Sequence, residues 1–169
     1  GDVYKRQVVG ADEYANGVDD NAFTNGAAIR ALEYACEAAR ICNEPVPEIW
    51  EEVGRGIRIL RFKDGVTREH ATYNGEMIKQ ADVNLSGYPL YFVGDAESQK
   101  KDMEYYVDKI DPQNGPAMSY SVFCVQYARM GDAKRAYEMF CRCYQPNLRT
   151  PFGVLAETPT SDNPCLLYT

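Results

Sequence analysis

The sequence predicts an all-α fold in which paired helices form part of a two-layered ring, with long loops at one end. Three observations predict it. Apolar residues recur at helical spacing through most of the chain. A Gly131-Asp132 junction separates two helical segments of different character. The stretches 63–96 and 145–169 are irregular yet carry aromatic residues, which is typical of ordered loops that form a site.

Three helices are predicted before the junction, at 21–42, 47–62 and 97–110. The first is preceded by the candidate capping residues Asp19, Asp20 and Asn21. The second has Pro47 at its first turn, where the missing N–H does no harm. Glycines such as Gly54 weaken this helix locally.

The junction at Gly131-Asp132 predicts an αα-hairpin over 116–144. Gly131 can end the first helix in the left-handed conformation, and Asp132 can cap the second. The first helix is apolar nearly all round, which is typical of a helix buried on more than one side. The second has a single apolar stripe, made of Ala133, Ala136, Tyr137, Phe140 and Tyr144. An inner helix paired with an outer one is what a two-layered ring requires.

Composition excludes several functions. The 169 residues carry a net charge of −7 without a basic stripe, which argues against nucleic-acid binding. No stretch is long and apolar enough to span a bilayer, so no membrane partner is expected. The cysteines lack zinc or redox spacing and His70 is the single histidine, so neither a metal nor another cofactor is expected.

The two ends of the chain differ from the rest. Residues 1–7 lack a Met and any periodic pattern, and 165–169 follow a proline without a polar tail. Both are expected to be non-native sequence ends, which leaves 8–164 as the functional domain. No secretory signal is visible, and this favours a cytoplasmic location only if the N-terminus is native.

Three polar tracts could carry chemistry. Asp12-Glu13-Tyr14 lies just before a capped helix, Lys79-Gln80-Ala81-Asp82 has no hydrophobic period, and Glu157 follows three apolar residues. A general acid needs a raised pKa, which a neighbouring carboxylate and burial would provide. The carboxylates and hydrogen-bonding side chains of these tracts suit acid/base cleavage of a glycosidic bond. Spacing alone leaves a non-catalytic alternative open for each tract. The first could be a solvated loop, the second an exposed turn, and Glu157 a surface glutamate.

Two of these tracts resemble motifs of glycoside hydrolase family 65. Asp12-Glu13-Tyr14, followed by residues 18–25, is similar to the general-acid motif. Residues 79–83, followed by Gly87-Tyr88-Pro89-Leu90, are similar to the glucose-binding motif. All the motifs occur in the order found in the family, across residues 8–164.

Further tracts resemble the hydrolytic branch of that family. They are Gly115-Pro116-Ala117-Met118-Ser119, Ala156-Glu157 and Asn163-Pro164. This branch includes acid trehalases, kojibiose hydrolases and the glucosidase acting on glucosyl-galactosyl-hydroxylysine. The resemblance implies an (α/α) barrel of six hairpins, of which this chain holds the C-terminal half. It also implies inversion at the anomeric carbon.

The resemblance assigns roles to individual residues. Glu13 matches the general acid and Glu157 the general base, whose carboxyls are expected about 6.5–9.5 Å apart. The residues expected to bind substrate are Lys79, Gln80, Asp12 and Asp82. The substrate is an α-glucosyl disaccharide or a glycan, and the linkage is left open between trehalose, kojibiose and glucosyl-galactose.

Two other functions remain as alternatives. The phosphorylases of the family carry a His-Asp-Ser-Ser cluster near 115–121, where this chain has neither His nor paired serines. Glu157 would also repel phosphate. The second alternative is a non-catalytic helical binding module. Because the first half of the barrel is missing from this chain, the 169 residues are expected to be inactive alone.

Overall fold

The computed structural model describes residues 7–92 and 95–161, and these fold mainly as helices. Five α-helices are described: α1 Ala22–Ile41, α2 Glu48–Gly56, α3 Ala96–Tyr106, α4 Ala117–Arg129 and α5 Ala133–Tyr144. Short 3₁₀ helices span Val83–Ser86 and Gln145–Asn147, and strand β1, Leu148–Arg149, pairs antiparallel with β2, Val154–Leu155. The predicted all-α class is therefore confirmed. Within these ranges no helix has the length and apolar character needed to cross a bilayer.

Helices α1 and α2 begin where their end signals place them, but α2 is shorter than predicted. The Asn21 side chain caps α1 by accepting a hydrogen bond of 2.8 Å from the Thr24 N–H. Pro47 is the residue before α2, which ends at Gly56. The prediction of helix to residue 62 is wrong because Ile57 turns extended, with ψ 129°. Glycines weaken the last turn of α2, and β-branched Ile57 favours an extended backbone.

Helix α3 also ends before its predicted limit, and the residues after it position part of the site. Asp95 caps α3, and the helix stops at Tyr106 instead of continuing to residue 110. Ile110 instead forms a parallel bridge with Ile78, through N–H···O bonds of 2.9 Å from Ile78 to Lys109 and 2.8 Å from Asp111 to Ile78. The chain just before the 79–82 tract is thereby fixed to the end of α3.

The predicted αα-hairpin is confirmed as α4 and α5. Gly131 has φ +79°, and Asp132 caps α5 by accepting from the Arg135 N–H at 3.0 Å. The predicted stripe of α5 is wrong in part, because Tyr137 and Phe140 are 69% and 50% exposed. The α5 residues that join the core are Ala136, Met139 and Cys143. Their spacing of three and four residues turns the Tyr137 side outward.

The core continues beneath the loop that follows α2. Tyr73, Ile78, Met103, Tyr106 and Phe123 are its largest fully buried apolar members. All four residues of the 3₁₀ helix Val83–Ser86 are buried as well. The described part of the predicted site-forming loop 63–96 therefore contributes residues to the core, which gives the polar tract within it a rigid support.

Candidate active site

The 79–82 tract is joined to the loop that carries Glu13 by two carboxylates. Asp82 Oδ2 accepts hydrogen bonds from the N–H groups of Ala11 and Asp12, at 2.7 and 3.2 Å. In return Asp12 Oδ1 accepts from the Lys79 N–H at 2.7 Å. The Gln80 side-chain amide also donates to the Ala11 carbonyl. These bonds fix the position of the 79–82 tract relative to the Glu13 loop, although the two segments are distant in sequence.

Asn21 connects this junction to α1. While its Oδ1 caps the helix, its Nδ2 donates to both oxygens of Asp82 at 3.1 Å. Gly10 passes directly over the pair, and a Cβ at that position would collide with Asn21 Nδ2 and Asp82 Oδ2. Glycine is therefore required at residue 10 by close packing. The sequence identified Asn21 as a candidate cap but gave no sign of its second role.

Three charged residues, Glu13, Lys79 and Glu157, form what we call the exposed rim. The Glu13 carboxylate pairs with the Lys79 ammonium, and these side chains are 58% and 22% exposed. The Glu13 hydrogen bond is the main cause that raises the pKa of Lys79, and the charge of Glu157 raises it further. Lys79 is therefore paired with one of the two carboxylates that the sequence singled out and is influenced by the charge of the other.

Glu157 is half-buried and is held through its backbone. Its carbonyl accepts from the Ala117 N–H at 3.0 Å, at the start of α4, and from Asn147 Nδ2 at 2.9 Å. Ser119, on the same turn of α4, accepts from the Ala81 N–H at 2.9 Å. The start of α4 consequently links Glu157 to the 79–82 tract.

Beneath the rim lies a group of three carboxyls, Asp12, Glu69 and Asp82, which we call the buried acid cluster. They are 2%, 0% and 0% exposed. Burial raises the pKa of Asp12 and of Asp82 above the usual value. Burial is also the main cause that raises the pKa of Glu69 to about 9, followed by the charges of Asp82 and Asp12. The sequence did not indicate Glu69, because Arg68 and His70 beside it suggest a solvated loop.

Tyr14 anchors the other side of the Glu13 loop. Its hydroxyl donates to Asp111 Oδ2 at 2.8 Å. Asp111 Oδ1 accepts from the N–H groups of Gln113 and Asn114, at 2.8 and 3.0 Å. These bonds, led by that of Gln113 and followed by that of Tyr14, lower the pKa of Asp111. Tyr14 therefore connects Glu13 to the turn that precedes α4, a contact that sequence spacing does not reveal.

The predicted site residues differ in how deeply the structure buries them. Glu13 is exposed, whereas Lys79, Gln80 and Glu157 are half-buried. Asp12 and Asp82 are buried, and their oxygens accept main-chain N–H groups. Asn163-Pro164 lies outside the described residues. Among the residues that are described, no group of three or more His, Cys, Asp or Glu side chains could hold a metal ion.

Comparison with known proteins finds several curated glycosidases that are similar to this chain. The chain is 45% identical over 159 residues to the kojibiose hydrolase of Mucilaginibacter mallensis, covering 94% of this chain and 24% of that protein. It is 37% identical to the protein-glucosylgalactosylhydroxylysine glucosidase of Dictyostelium discoideum, covering 90% of this chain and 22% of that protein. It is 34% identical to the acid trehalase of Emericella nidulans, covering 86% and 14%. The chain thus spans about a quarter, or less, of the length of these curated relatives.

The fold is also found among solved structures. A protein assigned as a kojibiose phosphorylase from the human microbiome matches with a TM-score of 0.63 and 19% identity, covering 79% of this chain and 23% of that chain. This match supports the fold alone. No family model matches the sequence. The resemblance to glycoside hydrolase family 65 in the sequence motifs is nevertheless confirmed by these relatives.

Proposed function

We propose that the protein is an inverting α-glucoside hydrolase that removes glucose from a disaccharide or from the end of a glycan. The observation that carries the proposal is the position of Lys79, which pairs with Glu13 and lies in the field of Glu157. A side chain matched to glucose binding thus pairs with the carboxylate matched to the acid and is influenced by the charge of the one matched to the base. The relatives named kojibiose hydrolase, glucosidase and acid trehalase support the same substrate class.

In the proposed reaction Glu13 gives its proton to the glycosidic oxygen as the bond from C1 to that oxygen breaks. Glu157 takes a proton from a water molecule, whose oxygen bonds to C1 from the opposite face. Glucose leaves with inverted configuration, and the aglycone leaves with the proton from Glu13. The mechanism requires about 6.5–9.5 Å between the two carboxyls, which is the space that the water occupies.

Substrate binding has to rearrange the exposed rim. Glu13 and Lys79 pair in the structure, yet a general acid must hold a proton when it reacts. We expect the hydroxyls of the glucose to draw the Lys79 ammonium away from Glu13, while Gln80 binds the same sugar from the neighbouring position. Asp12 and Asp82 take part by fixing the loops, since their oxygens already accept main-chain N–H groups.

The proposal includes the fold around the site. The helices of residues 8–164 would belong to an (α/α) barrel of six hairpins, with α4 and α5 as one of its pairs. Half of the barrel would have to come from chain that these residues do not include. For that reason we expect the 169 residues alone to cleave no α-glucoside, and a clear rate from them would contradict this part of the proposal.

The test is product analysis by proton NMR on the full-length protein that carries this sequence. Kojibiose and trehalose are supplied with and without inorganic phosphate. β-Glucose formed without phosphate is the expected result and supports an inverting hydrolase. In trehalose the leaving glucose keeps its α configuration, so an inverting hydrolase initially releases β-glucose and α-glucose in equal amounts. Initial formation of α-glucose without β-glucose would overturn inversion. β-Glucose 1-phosphate formed only when phosphate is present would overturn hydrolysis in favour of phosphorolysis.

A further inference from the structure

The three members of the buried acid cluster differ in how their oxygens are satisfied. Asp82 accepts from Ala11 N, Asp12 N and Asn21 Nδ2. Asp12 Oδ1 accepts from the N–H groups of Lys79 and Tyr14. Glu69 differs, because neither of its buried oxygens meets a hydrogen-bond donor among the described residues. Burying an ionised carboxylate without hydrogen-bond donors costs free energy. The burial of Glu69 therefore needs a different explanation.

The carboxyl of Asp12, which is close to Glu69, provides the explanation. The Glu69 side chain comes within hydrogen-bonding reach of the Asp12 carboxyl. Two ionised carboxylates cannot form a hydrogen bond, because neither has a proton to donate. Asp12 already receives main-chain donors that suit its ionised form. The proton of the pair therefore belongs on Glu69, which then has a partner for its own hydroxyl.

We infer that Glu69 is a positioning residue whose protonated carboxyl donates a hydrogen bond to Asp12 and so holds the loop of Glu13 against Lys79. The bond completes the set of donors around Asp12. Asp12 in turn fixes both Tyr14 and Lys79 through their N–H groups. The consequence for catalysis rests on the proposed function, whereas the protonation of Glu69 does not.

The surroundings of Glu69 favour its neutral form. The acidic groups that act on it are Asp12, Asp82 and Glu76, and each raises its pKa after burial has done so. The phenols of Tyr73 and Tyr106 are also influenced by the charge of Glu69, and their own pKa values are raised, chiefly by burial. A pKa of about 9 leaves the Glu69 carboxyl protonated at neutral pH.

The first experiment detects that proton directly. Infrared difference spectra of the full-length protein, wild type minus Glu69→Gln, are recorded in D₂O at pH 7. The expected result is the C=O band of a protonated carboxylic acid, which disappears as the pH rises through about 9. The matched control is Glu76→Gln, whose difference spectrum should contain only carboxylate bands, since hydrogen bonds from the backbone lower the pKa of exposed Glu76. Carboxylate bands alone for Glu69 would overturn the inference.

The second experiment tests positioning. Glu69→Gln keeps an N–H donor for Asp12, so we expect kcat/KM within about threefold of wild type, whereas Glu69→Leu should lose about 10–100-fold, as supporting residues around a site commonly do. Equal losses in the two variants would show that the donor is irrelevant and overturn the inference. If Glu69→Leu does not fold, the infrared band and the Glu69→Gln rate still decide. Phosphorolysis by the wild type, with the band present, would overturn the proposed function and leave the role of Glu69 intact.

Discussion

Asp12 and Glu13 are neighbours in sequence, yet they belong to different regions of the site. Asp12, in the buried acid cluster, is 2% exposed and fixed by main-chain donors. Glu13, on the exposed rim, has a side chain 58% exposed and a single lysine partner. A buried, hydrogen-bonded carboxylate is costly to move, whereas an exposed pair exchanges partners at little cost. One residue therefore anchors the loop, and its neighbour can exchange partners, as the proposed general acid must.

This difference separates stability from activity. Changes in the exposed rim should reduce catalysis with little effect on unfolding, because surface ion pairs contribute only about 0–1 kcal/mol. Changes in the buried acid cluster should reduce stability first and activity through the displaced loop. Each of the following experiments measures both quantities on the full-length protein, in order of decreasing expected effect.

Glu13→Gln should have the largest effect. The amide cannot donate the proton that the leaving oxygen requires, so kcat on kojibiose or trehalose should fall by about 10²–10⁴-fold. The thermal midpoint should stay close to wild type, since the lost ion pair is exposed. Glu44→Gln, an exposed glutamate beyond α1, is the control and should retain full activity. Retention of activity by Glu13→Gln would refute the assignment of the acid.

Raising the pH should weaken the fold through the buried acid cluster. Glu69 has its pKa raised from 4.5 to about 9, and those of Asp12 and Asp82 are raised as well. The folded state therefore binds more protons than the unfolded state between about pH 4.5 and 9. Stability from these groups is fully present below the unfolded pKa values and is lost as the pH rises, by at most about 1.4 kcal/mol per pH unit for each proton.

Urea unfolding from pH 5 to 9 measures this slope. We expect the free energy of unfolding to decline across the range and the decline to be shallower in Glu69→Gln, which cannot ionise. Glu76→Gln, an exposed acid whose pKa is lowered instead, should keep the wild-type slope. Parallel slopes in wild type and Glu69→Gln would contradict a proton held by Glu69.

Asp82→Ala should destabilise the junction between the two loops. The change removes the acceptor of the Ala11 and Asp12 N–H groups and leaves Asn21 Nδ2 with its 3.5 Å contact to the Glu69 carbonyl. Each buried donor left without a partner costs about 1–3 kcal/mol, so we expect a total near 3 kcal/mol after relaxation. Urea unfolding gives the value, and Asp108→Ala, away from these bonds, is the control. A loss of activity without a loss of stability would instead indicate direct contact between Asp82 and substrate.

The sequence predicted the parts of the molecule that depend on local chemistry. The caps at Asn21 and Asp132 and the left-handed Gly131 follow from the hydrogen-bonding needs of helix ends. The motifs around Glu13 and Lys79 predicted the family, which the relatives confirm. The prediction extended α2 too far because the apolar stripe in the sequence continues past Gly56, whereas the helical backbone ends there.

What depends on tertiary packing could not be predicted. Glu69 lies between Arg68 and His70, and nothing local distinguishes it from a solvated glutamate. It is fully buried in the fold, where the charges of Asp82 and Asp12, from two distant segments, raise its pKa further. The exposure of Tyr137 on α5 has the same origin, since a single apolar stripe does not show which of its residues will meet α4.

Tyr14→Phe should have the smallest effect. It removes the hydroxyl that donates to Asp111, but the phenyl ring and the main-chain bond to Asp12 remain. We expect a loss of a few-fold in kcat/KM and an unchanged thermal midpoint, because Tyr14 is half exposed. Tyr34→Phe, an exposed tyrosine on α1, is the matched control and should match wild type. A loss as large as that of Glu13→Gln would mean that the hydroxyl contacts the substrate. No loss would mean that the buried acid cluster alone holds the Glu13 loop.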